Sequence, residues 1–138
     1  MAFAWPVRVY WEDTDAGGIV FYANYLKFFE RARTEWLRSL GYHQHDLKSR
    51  VGGMFVVTRA ELRYLQPARL DDELLVTAMI HEHSRASITL FQQALRPVAE
   101  PGSAPALLCE ATVRIAWVDA ATLRPQRIPS LLLEQLSS

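Results

Sequence analysis

The sequence predicts one α+β domain, in which a single long helix packs on a five-stranded antiparallel sheet. The chain has 138 residues, half of them hydrophobic, and 15 basic residues balance 15 acidic ones. This is the size and composition of one globular domain whose core needs no disulfide or structural metal. One strand pattern and one helical pattern are followed by four consecutive strand patterns. The later strands leave no room for the crossover helices that a parallel sheet needs.

The first two elements follow from a change in periodicity. A run of β-branched and aromatic residues at 7–12 predicts a strand, and the small and acidic residues at 13–18 predict a tight loop. Over residues 22–40 apolar side chains recur every three or four positions, which predicts one long amphipathic helix. This stripe comprises Tyr25, Phe29, Ala32, Trp36 and Leu40, joined by Leu26, Phe28 and Leu37.

The ends and the polar face of this helix carry further signals. Asn24 is a candidate N-cap, with a start between positions 21 and 24, and Gly41 stands where helices commonly end in left-handed backbone. We expect Glu35 to pair with Arg31 and Arg38, and we interpret the whole charged face as solvated. That face consists of Lys27, Glu30, Arg31, Arg33, Glu35 and Arg38.

Alternation with period two dominates the second half of the chain. It predicts strands over residues 54–65, 73–83, 86–96 and 107–118, and Gln66-Pro67 ends the first of them. Residues 97–105 are a loop by composition, residues 119–129 are rich in turn formers, and Ser130 is placed to cap a short helix over 131–136. The predicted inward set of the last strand is Cys109, Ala111, Val113, Ile115 and Trp117.

One helix covers only part of a five-stranded sheet, so the remaining surface meets either water or another subunit. Apolar side chains at Phe55, Val57, Phe91 and Leu95 favour another subunit. We therefore predict a homo-oligomer, with a two-fold dimer as the simplest form.

Charge and cysteine content exclude several classes of function. The formal net charge is zero and no run of five basic residues occurs, so nucleic acid is not an expected partner. The single cysteine cannot form an internal disulfide, which fits a reducing compartment, and the first ten residues lack the pattern of a secretion signal. No apolar run approaches the roughly 18 residues that span a bilayer. We expect a cytoplasmic protein without direct membrane insertion.

The segment 12–22 combines two carboxylates, two glycines and the predicted helix start. A helix start presents unpaired N–H groups and partial positive charge, which suit an oxyanion. A carboxylate of Asp13 or Asp15 beside it can act as general base or nucleophile while the N–H groups polarise a carbonyl. The same letters are typical of a turn, in which the aspartates accept backbone hydrogen bonds and Gly17 and Gly18 allow positive φ. From the residues alone, both interpretations stay open.

Other patterns give weaker support for metal or thiol chemistry. The loop resembles an EF-hand only in part, because it lacks the bidentate acid that ends such a loop. His81-Glu82-His83 places two histidines on one strand face, but a polar strand end explains them more simply. Cys109 is interpreted as a small core residue rather than a nucleophile. We expect neither a metal nor a cofactor.

Two longer motifs cover nearly the whole chain. The first is Val9-Tyr10-Trp11-Glu12-Asp13-Thr14-Asp15-Ala16-Gly17-Gly18-Ile19-Val20-Phe21-Tyr22-Ala23-Asn24-Tyr25, continued by Phe29-Glu30-Arg31-Ala32-Arg33-Thr34-Glu35. The second is Tyr64-Leu65-Gln66-Pro67-Ala68-Arg69-Leu70-Asp71-Asp72, followed by Val118-Asp119, Arg124-Pro125 and Ile128-Pro129. Together they resemble the hotdog-fold acyl-CoA thioesterases of the 4-hydroxybenzoyl-CoA type, and among these they are most similar to the bacterial Tol-Pal-associated branch.

The resemblance implies a single hotdog domain over residues 1–138, in which the sheet wraps around the helix. It also implies dimers that pair their sheets edge to edge, often assembled into tetramers, with sites at the subunit boundary. The implied reaction is hydrolysis of an acyl-CoA thioester to a carboxylic acid and free coenzyme A. Acyl carrier protein is a second carrier that would fit this activity.

The resemblance also places the functional residues. The catalytic acid falls on Asp15 as nucleophile or general base, and the oxyanion donor falls on the backbone N–H of Tyr22, at the end of a segment that includes Gly17 and Gly18. Substrate contacts fall on Val20, Arg85 and Ser87.

Two positions depart from the pattern of the resembled proteins. Many members of the Tol-Pal-associated branch have a histidine where this chain has Tyr22, and here the chain resembles the hydroxybenzoyl-CoA enzymes instead. The basic run that meets coenzyme A phosphates in those enzymes aligns with residues 84–86, of which only Arg85 is basic.

The first functional hypothesis is an acyl-CoA thioesterase. The alternative is a hotdog protein that binds acyl-CoA, acyl carrier protein or a partner as a scaffold with little turnover. A hydratase on the same fold is a third hypothesis, but it would normally need a histidine near the helix start. His43 and His45 come only after the helix.

Overall fold

A computed structural model describes residues 2–138. The strands are β1 (Phe3–Arg8), β2 (Gly53–Tyr64), β3 (Glu73–His83), β4 (Ser87–Arg96) and β5 (Ala106–Asp119). They form one antiparallel sheet in the order β1-β3-β4-β5-β2. The helices are α1 (Tyr25–Ser39), α2 (Gln44–Asp46) and α3 (Ser130–Ser137), and a single wide turn at Leu47–Val51 follows α2. The predicted α+β class is confirmed. None of the helices within residues 2–138 is long and apolar enough to cross a membrane.

The core lies between α1 and the sheet. The helix packs against β1, β3 and β4. Its residues Phe28, Phe29 and Ala32 are fully buried, as the apolar stripe predicts. Strands β4 and β5 bury about every second residue against the helix side, because successive strand side chains point to opposite faces. The predicted inward set of β5, from Cys109 to Trp117, is buried throughout.

The end of α1 and the start of α3 show how well local sequence signals predict helix boundaries. Gly41 adopts φ +91° and donates to the carbonyl of Arg38 at 2.9 Å, while Tyr42 donates to that of Leu37 at 2.9 Å, so α1 ends as predicted. Ser130, predicted as a cap, is instead the first residue of α3, and Pro129 occupies the cap position.

The charged face of α1 is less uniform than predicted. Glu35 pairs with Arg38, but the guanidinium of Arg31 lies 6.0 Å from the centre of the Phe28 ring. Arg33 is half-buried and donates to the side chain of Gln92 at 3.0 Å, so its assignment to a solvated face is wrong. Burial lowers the pKa of Arg33.

The first strand lies earlier than predicted, at Phe3–Arg8 rather than 7–12. The N–H of Val9 donates to the carbonyl of Asp72 at 2.8 Å, after which the chain leaves the sheet. A tight turn at Trp11–Asp13 follows, because the Asp13 carboxylate accepts the N–H of Tyr10 at 2.8 Å. Tyr10, Trp11 and Glu12 therefore belong to the loop.

A β-bulge between Val57 and Arg59 changes the faces of β2. Before it, Phe55 and Val57 lie opposite buried residues of β5, and after it the even-numbered residues do so. The single alternating set predicted for this strand is therefore wrong. Phe55 and Val57 lie on the face covered by α1, not on the uncovered face, and only Phe91 and Leu95 of the four predicted residues lie there.

Candidate active site

The two aspartates of the loop before α1 have different environments. Asp13 is buried, and besides its bond to Tyr10 its carbonyl accepts the N–H of Phe21 at 2.9 Å and the amide of Asn24 at 2.9 Å. These bonds tie the turn after β1 to the start of the helix. Asp13 thus has the turn-forming role. The Asn24 side chain donates to the Asp13 carbonyl and does not cap the helix.

Asp15 is exposed and begins a second turn. Its N–H donates to the carbonyl of Ile19 at 2.9 Å, and its Oδ1 accepts the N–H of Gly17 at 2.8 Å. Gly18 adopts φ +77°, and a Cβ at Gly17 would lie only 3.2 Å from Oδ1. Oδ2 makes no hydrogen bond within residues 2–138. The turn therefore uses one oxygen of Asp15 and leaves the other free for chemistry.

The helix start supplies N–H donors next to this loop. A tight helical turn at Tyr22–Asn24 runs directly into α1, so helical backbone begins at Tyr22, inside the predicted range. The N–H groups of Tyr22 and Ala23 have no acceptor within residues 2–138, as expected for the first donors of a helix. The buried Val20 donates to the carbonyl of Ala68 at 2.9 Å and fixes the approach of the chain.

An open groove of about 270 Å³ lies at the helix start. Tyr22, Tyr25 and Tyr64 form much of it, and Tyr64 lies edge-on to both other rings, with ring centres 6.2 Å from Tyr22 and 5.7 Å from Tyr25. The remaining lining is Ile19, Val20, Leu65, Gln66 and Pro67. The groove is thus mainly apolar and aromatic, which suits an acyl group.

The hydroxyls of Tyr25 and Tyr64 stay protonated at neutral pH, because the pKa of each is raised. Burial is the main reason that the pKa of Tyr25 is raised, and partial burial, with smaller contributions from Cys109 and Tyr22, raises the pKa of Tyr64. The Tyr25 hydroxyl accepts the N–H of Ala68 at 3.3 Å. Tyr64 donates to the carbonyl of Tyr22 at 3.0 Å.

The other predicted substrate residues lie around the turn between β3 and β4, with Arg85 in the turn and Ser87 as the first residue of β4. Ser87 is buried, and its hydroxyl lies 2.8 Å from that of Ser84, so it is engaged within this turn. Arg85 is exposed and shares a concave surface of about 280 Å³ with His83 and Arg127. The N–H of Ile128 donates to the carbonyl of Arg85 at 2.8 Å and holds Arg127 there.

One chain does not bring Arg85 and Asp15 together. Tyr64, beside the groove, pairs with Cys109 at one end of β5, whereas the turn at Arg85 adjoins Trp117 at the other end. At roughly 3.3 Å per residue, these ends of β5 are roughly 26 Å apart. One chain therefore places the predicted acid, Asp15, and the helix start at Tyr22 on one short segment. The predicted basic residue, Arg85, lies at the other end of the sheet.

Sequence reasoning missed Tyr64 and Arg127. Tyr64 stands two positions before the strand-ending Gln66-Pro67, but nothing local predicts that it reaches the helix start. Arg127 lies in the turn-rich tail, and only the hydrogen bond between Ile128 and Arg85 in the structure shows that Arg127 lies beside Arg85.

Three residues considered for other chemistry have simpler environments. Cys109 is fully buried, as predicted for a core residue. His81 and His83 are exposed on β3, and within residues 2–138 no group of three or more His, Cys, Asp or Glu side chains is arranged to hold a metal ion.

Comparison with known proteins gives consistent matches. A family model described as "Thioesterase-like superfamily" matches residues 9–136. The chain is 42% identical to "Acyl-CoA thioesterase YbgC" of Haemophilus influenzae, over 92% of this chain and 88% of that protein. It is 40% identical to "Acyl-CoA thioester hydrolase YbgC" of Escherichia coli O157:H7, over 96% of this chain and 94% of that protein.

Solved structures share the fold. A probable thioesterase from Bartonella henselae superposes with a TM-score of 0.83 at 33% identity, over 94% of this chain and all of that one. A 4-hydroxybenzoyl CoA thioesterase variant complexed with 4-hydroxybenzoyl CoA gives a TM-score of 0.89 over 99% of both chains. Its 21% identity supports the fold alone. The predicted hotdog fold is confirmed.

Proposed function

The chain belongs to the thioesterase-like superfamily, and on that premise we propose that it hydrolyses acyl-CoA thioesters to a carboxylic acid and free coenzyme A. Its relatives over nearly the full length carry this activity in their names. The proposal extends to the residues that perform the reaction and to the second subunit that completes the site.

One observation carries the assignment of residues. Within residues 2–138, Oδ2 of Asp15 makes no hydrogen bond, and the loop that carries it is bonded to the tight turn before α1, where the N–H groups of Tyr22 and Ala23 have no acceptor. Tyr22 lines the apolar groove in which the acyl group would lie, and Asp15 stands on the loop that leads to it. Acyl transfer needs these parts together.

The chemistry needs few groups because a thiolate is a good leaving group. Asp15 attacks the thioester carbonyl carbon directly or removes a proton from a water molecule that attacks it. The carbonyl oxygen becomes an oxyanion and receives hydrogen bonds from the helix start. When the C–S bond breaks, coenzyme A departs as the thiolate. On the direct route, water then cleaves the acyl-aspartate anhydride and restores the Asp15 carboxylate.

A second copy of the chain supplies the missing basic contact. Strand β2 is an edge of the sheet, and two copies that pair antiparallel along it are related by a two-fold axis. That axis places the partner's β3–β4 turn at the same end of the joined sheets as Asp15. Arg85 and Arg127 of the partner would then contact the phosphates of coenzyme A, which arginine side chains bind well.

The test is release of free thiol by the purified full chain from short, medium, long and aromatic acyl-CoAs. We expect turnover with at least one class, and we expect Asp15→Asn to lower kcat by about a hundredfold or more, the magnitude of a positioned acid or base. Asp46→Asn is the matched control, because Asp46 lies on α2 away from the groove. It should keep wild-type turnover.

Absence of turnover on every thioester would overturn the proposal and favour the scaffold protein that only binds acyl-CoA. Equal turnover by the wild type and Asp15→Asn would leave a thioesterase but remove Asp15 from its mechanism. Circular dichroism of each variant separates loss of activity from loss of fold.

A further inference from the structure

Tyr64 joins the end of β2 to the first turn of the helix. Its hydroxyl donates to the carbonyl of Tyr22 at 3.0 Å. That carbonyl belongs to the same peptide group as the N–H of Ala23, one of the two helix-start donors without an acceptor within residues 2–138. Tyr64 therefore holds a peptide whose other end is a candidate oxyanion donor.

Two sets of contacts position the Tyr64 side chain. The backbone of Tyr64 pairs with that of Cys109 in the neighbouring strand, and the Tyr64 ring lies edge-on to Tyr22 and close to the buried Tyr25. A ring packed in this way loses little further freedom when its hydroxyl donates. These contacts hold the hydroxyl towards the carbonyl of Tyr22, while 48% of the Tyr64 surface stays exposed.

A hydrogen bond to a peptide carbonyl affects the N–H of the same peptide. The donor polarises the amide group, and chains of such bonds strengthen one another by roughly 10–30% per bond. It also fixes the plane of the peptide, and a fixed donor costs no reorganisation when the oxyanion forms. Both effects act on the Ala23 N–H.

We propose that Tyr64 is a positioning residue, whose hydroxyl fixes and polarises the peptide between Tyr22 and Ala23 and makes the Ala23 N–H a second oxyanion donor. The inference rests on the proposed function, because an oxyanion forms only when a thioester carbonyl is attacked. Tyr64 acts through this peptide and does not touch the reacting atoms.

Tyr64→Phe tests the proposal, because it keeps the ring and removes only the hydroxyl. We expect kcat to fall about tenfold, the effect of one neutral hydrogen bond worth about 1.4 kcal/mol, while KM stays within about twofold. We expect kcat to fall without a matching change in KM because the oxyanion exists only in the transition state and the tetrahedral intermediate. Tyr42→Phe is the matched control, since the Tyr42 hydroxyl bonds to Gln135 in α3, and it should keep wild-type kcat.

A second readout needs no substrate. In ¹⁵N–¹H spectra of the full chain, the Ala23 amide proton should move upfield in Tyr64→Phe relative to the wild type, because the amide loses its polarising donor. An unchanged Ala23 shift, an unchanged kcat or a change confined to KM would each overturn the role of Tyr64. Failure of the proposed function looks different, since the wild type itself would release no thiol.

Discussion

Cys109 shows how strongly the fold changes the chemistry of one side chain. It is the single cysteine of the chain and has no exposed surface. Burial, with a smaller contribution from the nearby Glu110, raises its pKa to about 12. Only the thiolate reacts with disulfides and metals, so this thiol is inert at neutral pH while the protein is folded.

We therefore predict that an aromatic disulfide reagent labels the native protein at pH 8 at least about a hundredfold more slowly than the protein unfolded in urea. The rate of colour formation in the two states measures the difference. Rapid labelling of the native protein would contradict the burial of Cys109. Slow labelling also means that the protein adds little background to a thiol-release assay.

The residues of the candidate site differ in how far the sequence points to them. Asp15 and Tyr22 could be proposed because one continuous motif that resembles a known family contains both. From the residues alone, Asp13 and Asp15 could not be told apart, since both fit a turn, and only the contacts of Asp13 to Tyr10 and Phe21 distinguish them. Tyr64 could not be found, because 42 positions separate it from the carbonyl that it binds.

At the scale of elements, Gln92 joins the helix to the sheet. It is fully buried, and its Nε2 donates to the carbonyl of Phe29 in α1 at 3.0 Å and to that of Thr77 in β3 at 3.1 Å. Its Oε1 accepts the guanidinium of Arg33 at 3.0 Å. One buried amide side chain thus bonds to the helix and to the sheet at once, and its own polar atoms all have partners.

We predict that Gln92→Ala lowers the free energy of unfolding by about 3 kcal/mol, because it leaves a cavity and removes the partner of a half-buried charge. Urea unfolding followed by circular dichroism measures the change. Gln93→Ala is the control, since the half-buried Gln93 side chain makes no hydrogen bond within residues 2–138, and it should cost less than about 0.5 kcal/mol. Equal stability of the two variants would show that Gln92 does not tie the layers.

Element types were predictable and some of their faces were not. Periodicity identifies the long helix and the four later strands, and β3 has the predicted bounds. Alternation cannot reveal the bulge after Val57, because the sequence on either side of it still looks like one continuous strand. The extra residue nevertheless reverses which side chains face α1. The first strand was misplaced because aromatic residues suit both a strand and the turn that Asp13 forms.

At the scale of the molecule, the two edges of the sheet differ. Strand β1 is six residues long and contains Pro6, which cannot donate to a neighbour, whereas β2 is twelve residues long and contains no proline. Long unprotected edges pair readily with other strands. Val57 lies on β2 with 52% of its surface exposed, which is typical of a residue that a second copy covers.

We predict that the wild type has at least twice the mass of one chain by light scattering, and that Val57→Lys reduces it to one chain. Lysine is a residue that natural proteins place on edges to prevent pairing. Val98→Lys is the matched control, because Val98 is 43% exposed in the loop after β4 and lies on no strand. A monomeric wild type, or a Val57→Lys variant that remains dimeric, would contradict pairing along β2. If the partner supplies Arg85, folded monomeric Val57→Lys should also lose most of its turnover, while Val98→Lys should keep it. That result would show that pairing along the β2 edge completes the site.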